Sequence, residues 1–416
     1  MNRIRKLWRN IKAWAEPVRA EDWLRIAGLA TLIFLILGSY AIARPATESL
    51  FLGANGSQSL PMAWLAVALG SLIVVTLYNR WSASTDLVVL FGVASGISAG
   101  LLIVLLLAAH VGVPGMSWAL YLWKDIYIVV LIEIFWSFAN TVVPVKQAKW
   151  LYGLFCVVGS LGGMAGNLSV GVLAQAFGTA NTLWAVVPLL LFSWGACFVL
   201  VRIGTSPLKE EPAAKVKPSF SEGFQVLRQS RALWLLMILI ATTQVVITLI
   251  DYQINIAVES QYTDTDVRTA IIGQIYAAID VASLVLQLTT GPILRLFGVP
   301  LVLLFIPGLL GAAVAGYAFV PRFMAIAVAK VASKSFDYSL FRAAKEILYI
   351  PMTREEKTRG KAFVDMMTYR CAKGATSLML MGLMVLGAPG FTLGLTLFCI
   401  LIWIGVTLLL NRRLRS

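Results

Sequence analysis

The chain is poor in the groups that most protein chemistry uses. It has one histidine, His110, and four cysteines, Cys156, Cys197, Cys371 and Cys399, in 416 residues. A single histidine excludes His-ligated metal centres and histidine-based triads. The cysteines lie inside apolar stretches with no C-x-x-C spacing, so they read as packing residues and indicate neither a disulfide frame nor a metal site. G-x-x-x-x-G-K-S/T, G-x-S-x-G and H-E-x-x-H are all missing, which removes the P-loop, the nucleophile elbow and the zinc-protease helix. The expectation is a chain that is not an enzyme and carries no cofactor. Charge is scarce too, at 13% of residues against 59% hydrophobic. That balance excludes a soluble multidomain chain and indicates a polytopic membrane protein.

What the chain has in abundance is long apolar runs. Twelve recur, at roughly 25–53, 61–79, 86–110, 117–143, 150–178, 182–203, 232–258, 267–290, 299–319, 322–350, 361–387 and 389–411. Each is close to the ~20 residues a helix needs to cross a bilayer, the longer ones tilting or projecting beyond it. Ahead of them, residues 1–24 place Ile4, Leu7, Trp8, Ile11 and Trp14 at helical spacing opposite Arg3, Arg5, Lys6, Arg9 and Lys12, the pattern of an interfacial amphipathic helix. No short apolar region with a small-residue cleavage site follows, so this is not a signal peptide.

The net charge of +14 would suggest nucleic acid in a soluble chain, but here the cations sit mainly in the connectors, and no nucleic acid polymer is expected as a partner. Arg80, Lys146, Lys149, the set from Arg202 to Arg231, Arg295, the run Arg354 to Lys361 and the tail Arg412, Arg413 and Arg415 fall on the side of the basic N-terminus. The opposite connectors hold only Arg268 and Arg322, beside Glu48, Glu259, Asp264 and Asp266. The positive-inside rule then places both termini in the cytoplasm. The Pro-, Lys- and Glu-rich stretch Thr205 to Gly223 reads as a flexible linker, here 204–231, between six-helix halves at 25–203 and 232–416. An offset of 212 residues pairs Tyr40 with Tyr252, Asp125 with Asp337 and Lys149 with Lys361, and sets Glu133 against Lys345. With a six-plus-six division, that favours two repeats in the same orientation.

The tenth run is the most heavily charged. KVASKSFDYSLFRAAKEILYIP, from Lys330 to Pro351, carries Lys330, Lys334, Asp337, Arg342, Lys345 and Glu346. At 100° per residue Lys330, Lys334, Asp337, Phe341 and Lys345 share a stripe about 80° wide. A charge near the bilayer centre costs roughly 2.5–3.5 kcal/mol, so such a face lines a bundle interior or a water-filled path, here one suited to an anion. Arg342, Lys345 and Glu346 have a second reading as residues snorkelling to headgroups at the cytoplasmic end. In run four, Asp125, Glu133, Trp136 and Asn140 share a face, with Lys124 near the external end. Three roles stay open for Glu133: partner of a lysine in run ten, carrier of a coupling proton, or member of a structural ion pair. Tyr40, Arg44 and Glu48 share a face in run one, where Pro45 can kink the helix; Arg44 offers a fork for phosphate or carboxylate, or else pairs with Glu48. Asp251 with Tyr252, and Tyr276, Asp280, Ser283 and Gln287, make further polar faces, and Lys361, Asp365, Arg370 and Lys373 charge the cytoplasmic half of run eleven. A bundle that rocks needs breakable contacts at its mouths, which makes Asp125, Asp280, Asp365, Arg370 and Lys373 candidates for coupling or gating.

Three segments give the chain a family likeness. They are DYSLFRAAKEILYIP followed by EEKTRGKAFVDMMTYRCAKG, then IEIFWSFANTVVPVKQAKWLYGLFCVVGSLGG, then SYAIARPATESL. With these the chain resembles the ATP/ADP translocases, the nucleotide transporters of plastids and obligate intracellular bacteria. The resemblance implies an all-α membrane protein of twelve transmembrane helices, major facilitator-like, in a bacterial inner membrane. It further implies a secondary transporter, an antiporter that moves a nucleotide or other phosphorylated anion by alternating access. Carried over by position, Arg44, Glu133, Lys149, Asp251 and Lys345 are substrate-path residues, to which the charged stripe adds Lys330, Lys334 and Asp337. Thr47 and Glu48 stand where the family has Lys-Asp, Trp150 where it has Arg, and Asp251 with Asn255 where it has Glu and a Lys one turn on. With three cations missing, the expected solute carries less charge than ATP. The rival readings are a proton-coupled transporter of another anion or a lipid headgroup, using Asp125, Glu133, Asp280 and Asp337, and a non-transporting membrane scaffold. The expected partners are an anionic small molecule and the bilayer; the residues leave the oligomeric state open.

Overall fold

The computed structural model describes residues 20–82, 85–143, 145–202, 220–353 and 355–415. Nearly all of them are helical, and eight of the helices are long and apolar enough to cross a membrane. The amphipathic stretch expected over 1–24 lies outside the described residues except for its last turn, which opens helix α1 (Ala20–Asn55). After α1 come α2 (Leu60–Ser82), α3 (Leu87–His110), α4 (Met116–Val142), α5 (Val145–Phe177), α6 (Val186–Arg202) and the short α7 (Phe220–Gln229). These are followed by α8 (Arg231–Gln261), α9 (Thr265–Phe319), α10 (Phe323–Phe336), α11 (Arg342–Leu348), α12 (Lys361–Val385) and α13 (Thr392–Arg415).

Local chemistry sets the ends of these helices. The carboxylate of Asp86 accepts the Val88 amide at 2.8 Å ahead of α3, and that of Asp264 accepts the amides of Asp266 and Val267 at 2.8 and 2.9 Å ahead of α9. Ser230 caps α8 by accepting the Leu233 amide at 3.3 Å. At 1.5 Å per residue the 55 residues of α9 would run about 80 Å, more than twice a bilayer's hydrocarbon thickness. Gly298, with φ 74° and ψ 157°, divides them into two arms. That backbone is open to glycine and closed to most other residues.

The chain forms two compact units. One comprises Met1–Thr47 with Ser71–Glu211, the other Glu48–Gly70 with Pro212–Ser416. In the first, α3 packs on α4 and α6, and α1 meets α5 at glycines. A Cβ added at Gly162 would come within 2.4 Å of the Phe34 carbonyl oxygen, and one at Gly166 within 2.5 Å of that of Gly38. This is the small-x-x-x-small contact of membrane helices, in which absent side chains let backbones approach. In the second unit α8 packs on α10, α12 and α13, and α9 on α10 and α13. The stretch expected as a linker, 204–231, ends in α7, whose Leu227 is buried and whose Phe224 ring lies 6.0 Å from that of Phe363; most of the rest lies outside the described residues.

Candidate functional site

The polar core of the second unit is built on one face of α8. Gln244, Thr248, Asp251, Asn255 and Glu259 succeed one another at three- and four-residue steps, the spacing that stacks side chains along a helix. Asp251 is the centre. Its Oδ1 is bonded to Lys330 Nζ and its Oδ2 lies 3.3 Å from Lys334 Nζ, so two lysines of α10 share one carboxylate. Lys330 is fully buried and also lies over the Tyr276 ring, 5.6 Å from its centroid. The Tyr276 hydroxyl donates to Glu48 Oε2 at 2.7 Å. Glu48, Tyr276, Lys330, Asp251 and Lys334 therefore form a continuous polar row. The amide of Asn255 donates to the main-chain oxygen of Asp251 at 2.6 Å.

Beyond Lys334 the helix changes pitch. Asp337–Phe341 is a π-helical turn, and the regular helix resumes as α11. Such turns carry one extra residue and recur at functional sites. The extra residue rotates α11 by about 100° relative to an unbroken helix, so the stripe expected from Lys330 to Lys345 does not continue across it. Asp337 accepts from Gln244 Nε2 at 3.1 Å, whereas Lys345 reaches Asp365 of α12 at 2.9 Å and lies 5.5 Å from the Tyr369 ring centroid. Lys361 pairs with Glu346. Lys373 lies 5.5 Å from the ring of Trp64, while Arg370 is exposed and Asp280 is half-buried on α9.

The first unit holds a separate cluster. Asp125 receives the Tyr40 hydroxyl at 3.2 Å on one oxygen and Lys124 Nζ at 2.9 Å on the other. Lys124 is buried and sits 3.9 Å from the Tyr121 ring centroid; Arg44 lies 5.8 Å from that of Tyr40. Glu133 is exposed and has no partner among the described residues. The side chain of Lys149 lies outside what the structure describes.

Two residues that pattern reading passed over stand out. Gln244 holds Asp337, and Arg268 is buried, with its guanidinium donating to the main-chain oxygens of Tyr262, Thr263 and Ser49 at 2.9, 3.1 and 3.2 Å. Ser49 Oγ donates to the Thr265 carbonyl at 2.7 Å, and Glu259 accepts the Ser57 amide at 2.8 Å. Arg268 thus clips the segment after Glu48 onto the turn between α8 and α9. The signal for it was its place as one of two arginines, with Arg322, in connectors otherwise without cations.

Two lysines sharing one carboxylate inside an apolar helical unit are groups that an anion could engage. A family model described as TLC ATP/ADP transporter matches residues 117–325 and 310–414. The chain belongs to the TLC ATP/ADP transporter family. Relatives in this family include ADP,ATP carrier protein 1 of Chlamydia pneumoniae, 23% identical over 97% of this chain and 93% of its own length. ADP,ATP carrier protein 1 of Chlamydia trachomatis is 26% identical over 68% of this chain and 62% of its own. Among solved structures, the nucleoside transporter NupG superposes with a TM-score of 0.67 at 13% identity, covering 94% of this chain and 99% of that one. A bacterial homologue of the iron transporter ferroportin, in an inward-facing state, gives 0.68 at 10%, covering 93% and 98%. At these identities the likeness shows that the fold is shared with these two structures.

Proposed function

We propose that the chain is a secondary transporter, an antiporter that exchanges a nucleotide or closely related phosphorylated anion across a membrane by alternating access. The observation that carries this reading is the pair of lysines, Lys330 and Lys334, held on Asp251 inside the helix bundle of an ATP/ADP transporter family member. A membrane helix keeps such cations at high cost unless an anion calls for them. The names of the Chlamydia relatives, ADP,ATP carriers, supply the substrate class. We further propose twelve crossings in two six-helix halves, 25–203 and 232–416. The eight apolar helices give nine crossings once α9 is divided at Gly298, and α4, α10 with α11, and α12 supply three whose charge disguises them.

The substrate should carry less charge than ATP. Thr47 and Asn255 occupy positions where cations are expected from the family pattern, and a pathway must balance a solute's charge or meet a desolvation cost of several kcal/mol per unpaired ion. Thr47 is fully buried, with its hydroxyl 2.8 Å from the Ala43 carbonyl, so a lysine there would disrupt packing. Asn255 is half-buried beside Asp251 and is the place to restore a cation. Counterflow in proteoliposomes with labelled AMP, ADP and ATP tests both statements: the parent should favour AMP, and Asn255→Lys should shift preference toward ADP and ATP. Exchange of none of the three refutes nucleotide transport, and a parent that prefers ATP refutes the low-charge preference.

A further inference from the structure

We propose that a cavity at one end of the second unit, with Arg231 and Glu356 in its wall, seats a phospholipid whose headgroup carries a free ammonium, as phosphatidylethanolamine does. The phosphate lies on Arg231 and the ammonium on Glu356. Arg231 is twenty residues along α8 from Asp251, about 30 Å at 1.5 Å per residue, so this site is distinct from the polar row and does not depend on which solute is carried.

The cavity holds about 430 Å³, within the ~300–1,000 Å³ of small-molecule sites. Three parts of the chain wall it: the start of α8, the end of α11 with the turn that follows, and the last part of α13. Its floor is apolar and buried, formed by Leu236, Leu348 and Leu410, whereas Arg231 on its rim is exposed. Arg231 is the first residue of one apolar span, Arg231–Gln261, and Leu410 lies two residues before the end of another, Thr392–Arg412. Span ends lie where hydrocarbon gives way to headgroups, the level at which basic pockets between helices bind lipid. The leucine floor suits an acyl chain, which a soluble anion lacks.

The opposite charges select the headgroup. Among the described lining residues Arg231 is the one cation and Glu356 the one carboxylate. A guanidinium forks onto phosphate oxygens. A carboxylate in the same wall opposes a purely anionic headgroup and draws an ammonium. Glu356 is fixed for this role, since its Oε2 accepts the Thr353 amide at 2.8 Å and its carboxyl also accepts the Ser230 hydroxyl. An ionised carboxylate has about four lone-pair sites, which leaves room for more donors. An ethanolamine ammonium, like that of lysine, brings N–H donors, whereas the methylated nitrogen of choline has none. A lipid seated here would tie α8, α11 and α13 together at their ends.

The test uses the full chain in detergent with phosphatidylethanolamine, phosphatidylcholine and phosphatidylglycerol of identical acyl chains. Binding is read by native mass spectrometry and by the rise in melting temperature that a bound ligand brings. Phosphatidylethanolamine should bind about tenfold more tightly than either of the others, the size of one charge-assisted contact. Glu356→Gln keeps an acceptor for Thr353 and Ser230 and should shrink that preference to within about threefold. Arg231→Gln should weaken all three lipids about tenfold, because each presents a phosphate. Glycerophosphoethanolamine, which has the headgroup without acyl chains, should not displace phosphatidylethanolamine at equal concentration. Equal binding of the three lipids overturns the inference, as does tighter binding of phosphatidylcholine or phosphatidylglycerol. So does a full preference in Glu356→Gln, parental affinity in Arg231→Gln, or displacement by glycerophosphoethanolamine, which would assign the cavity to a free solute. If Glu356→Gln does not fold, Arg231→Gln and the headgroup comparison in the parent decide.

Discussion

At the scale of single residues, burial separates side chains that hold the bundle from those that face solute. Replacing a fully buried, bonded charged side chain costs more than replacing a partly exposed one. Lys330→Ala should therefore lower the melting temperature in detergent clearly more than Lys334→Ala, because Lys330 is fully buried and Lys334 is not. Uptake is a different readout. Lys345→Ala and Arg44→Ala should each lower it roughly tenfold with membrane insertion intact, the size of one lost charge-assisted contact. Transport at the parental rate in both, measured per molecule inserted, would remove them from the anion path. The charged residues were legible as a set because lysine in an apolar run is conspicuous. Their pairing was not, since Asp251 lies 79 positions before Lys330 and nothing in either segment names the other. Arg268 shows the same limit: its three acceptors are main-chain oxygens, which leave no mark in a residue pattern.

At the scale of elements, two contacts carry measurable weight. α1 and α5 meet where Gly162 has no side chain, and a methyl there would press on the Phe34 backbone, which cannot rotate away. Gly162→Ala should cost about 1–3 kcal/mol, as overpacking does, whereas Gly153→Ala, with nothing within 4 Å of the new methyl, should leave the melting temperature unchanged. The turn between α11 and α12 is held by a capping box. Glu356 Oε2 accepts the Thr353 amide at 2.8 Å, and the Glu356 amide reaches back to Thr353 Oγ1 at 3.4 Å. Hydrogen bonds from Ser230 and then from Thr353 hold the Glu356 carboxyl below the usual carboxylate range. A carboxyl lowered on folding stabilises the turn fully above its unfolded value, roughly pH 4.3, and loses that contribution as the pH falls through its lowered folded value. Amide protection over residues 355–361 should drop in acid in the parent, and this acid step should be absent in Glu356→Gln. An identical pH profile in the two would separate Glu356 from the turn's stability. The π-helical turn at Asp337–Phe341 was the element least visible beforehand, because periodicity arguments assume a constant 100° per residue and DYSLF contains no proline or glycine to warn of a change.

At the scale of the molecule, the apolar runs fall on helices, and eight of the described helices are long and apolar enough to cross a bilayer. Where helices join was harder to read: the runs 267–290 and 299–319 are one helix but for a single glycine. Loop charge gives the remaining prediction. Cysteines placed singly at Lys215 and Arg359 should resist a membrane-impermeant reagent in intact cells and react after lysis. Labelling from outside at either position would invert the orientation. The break at Gly298 also bears on how the protein is made. With one residue between the two arms of α9, no connector is long enough for one arm to enter the membrane and wait for the other. On the proposed layout of twelve crossings the two arms enter as a pair, with Arg295 three residues before the break and Pro300 two residues after it.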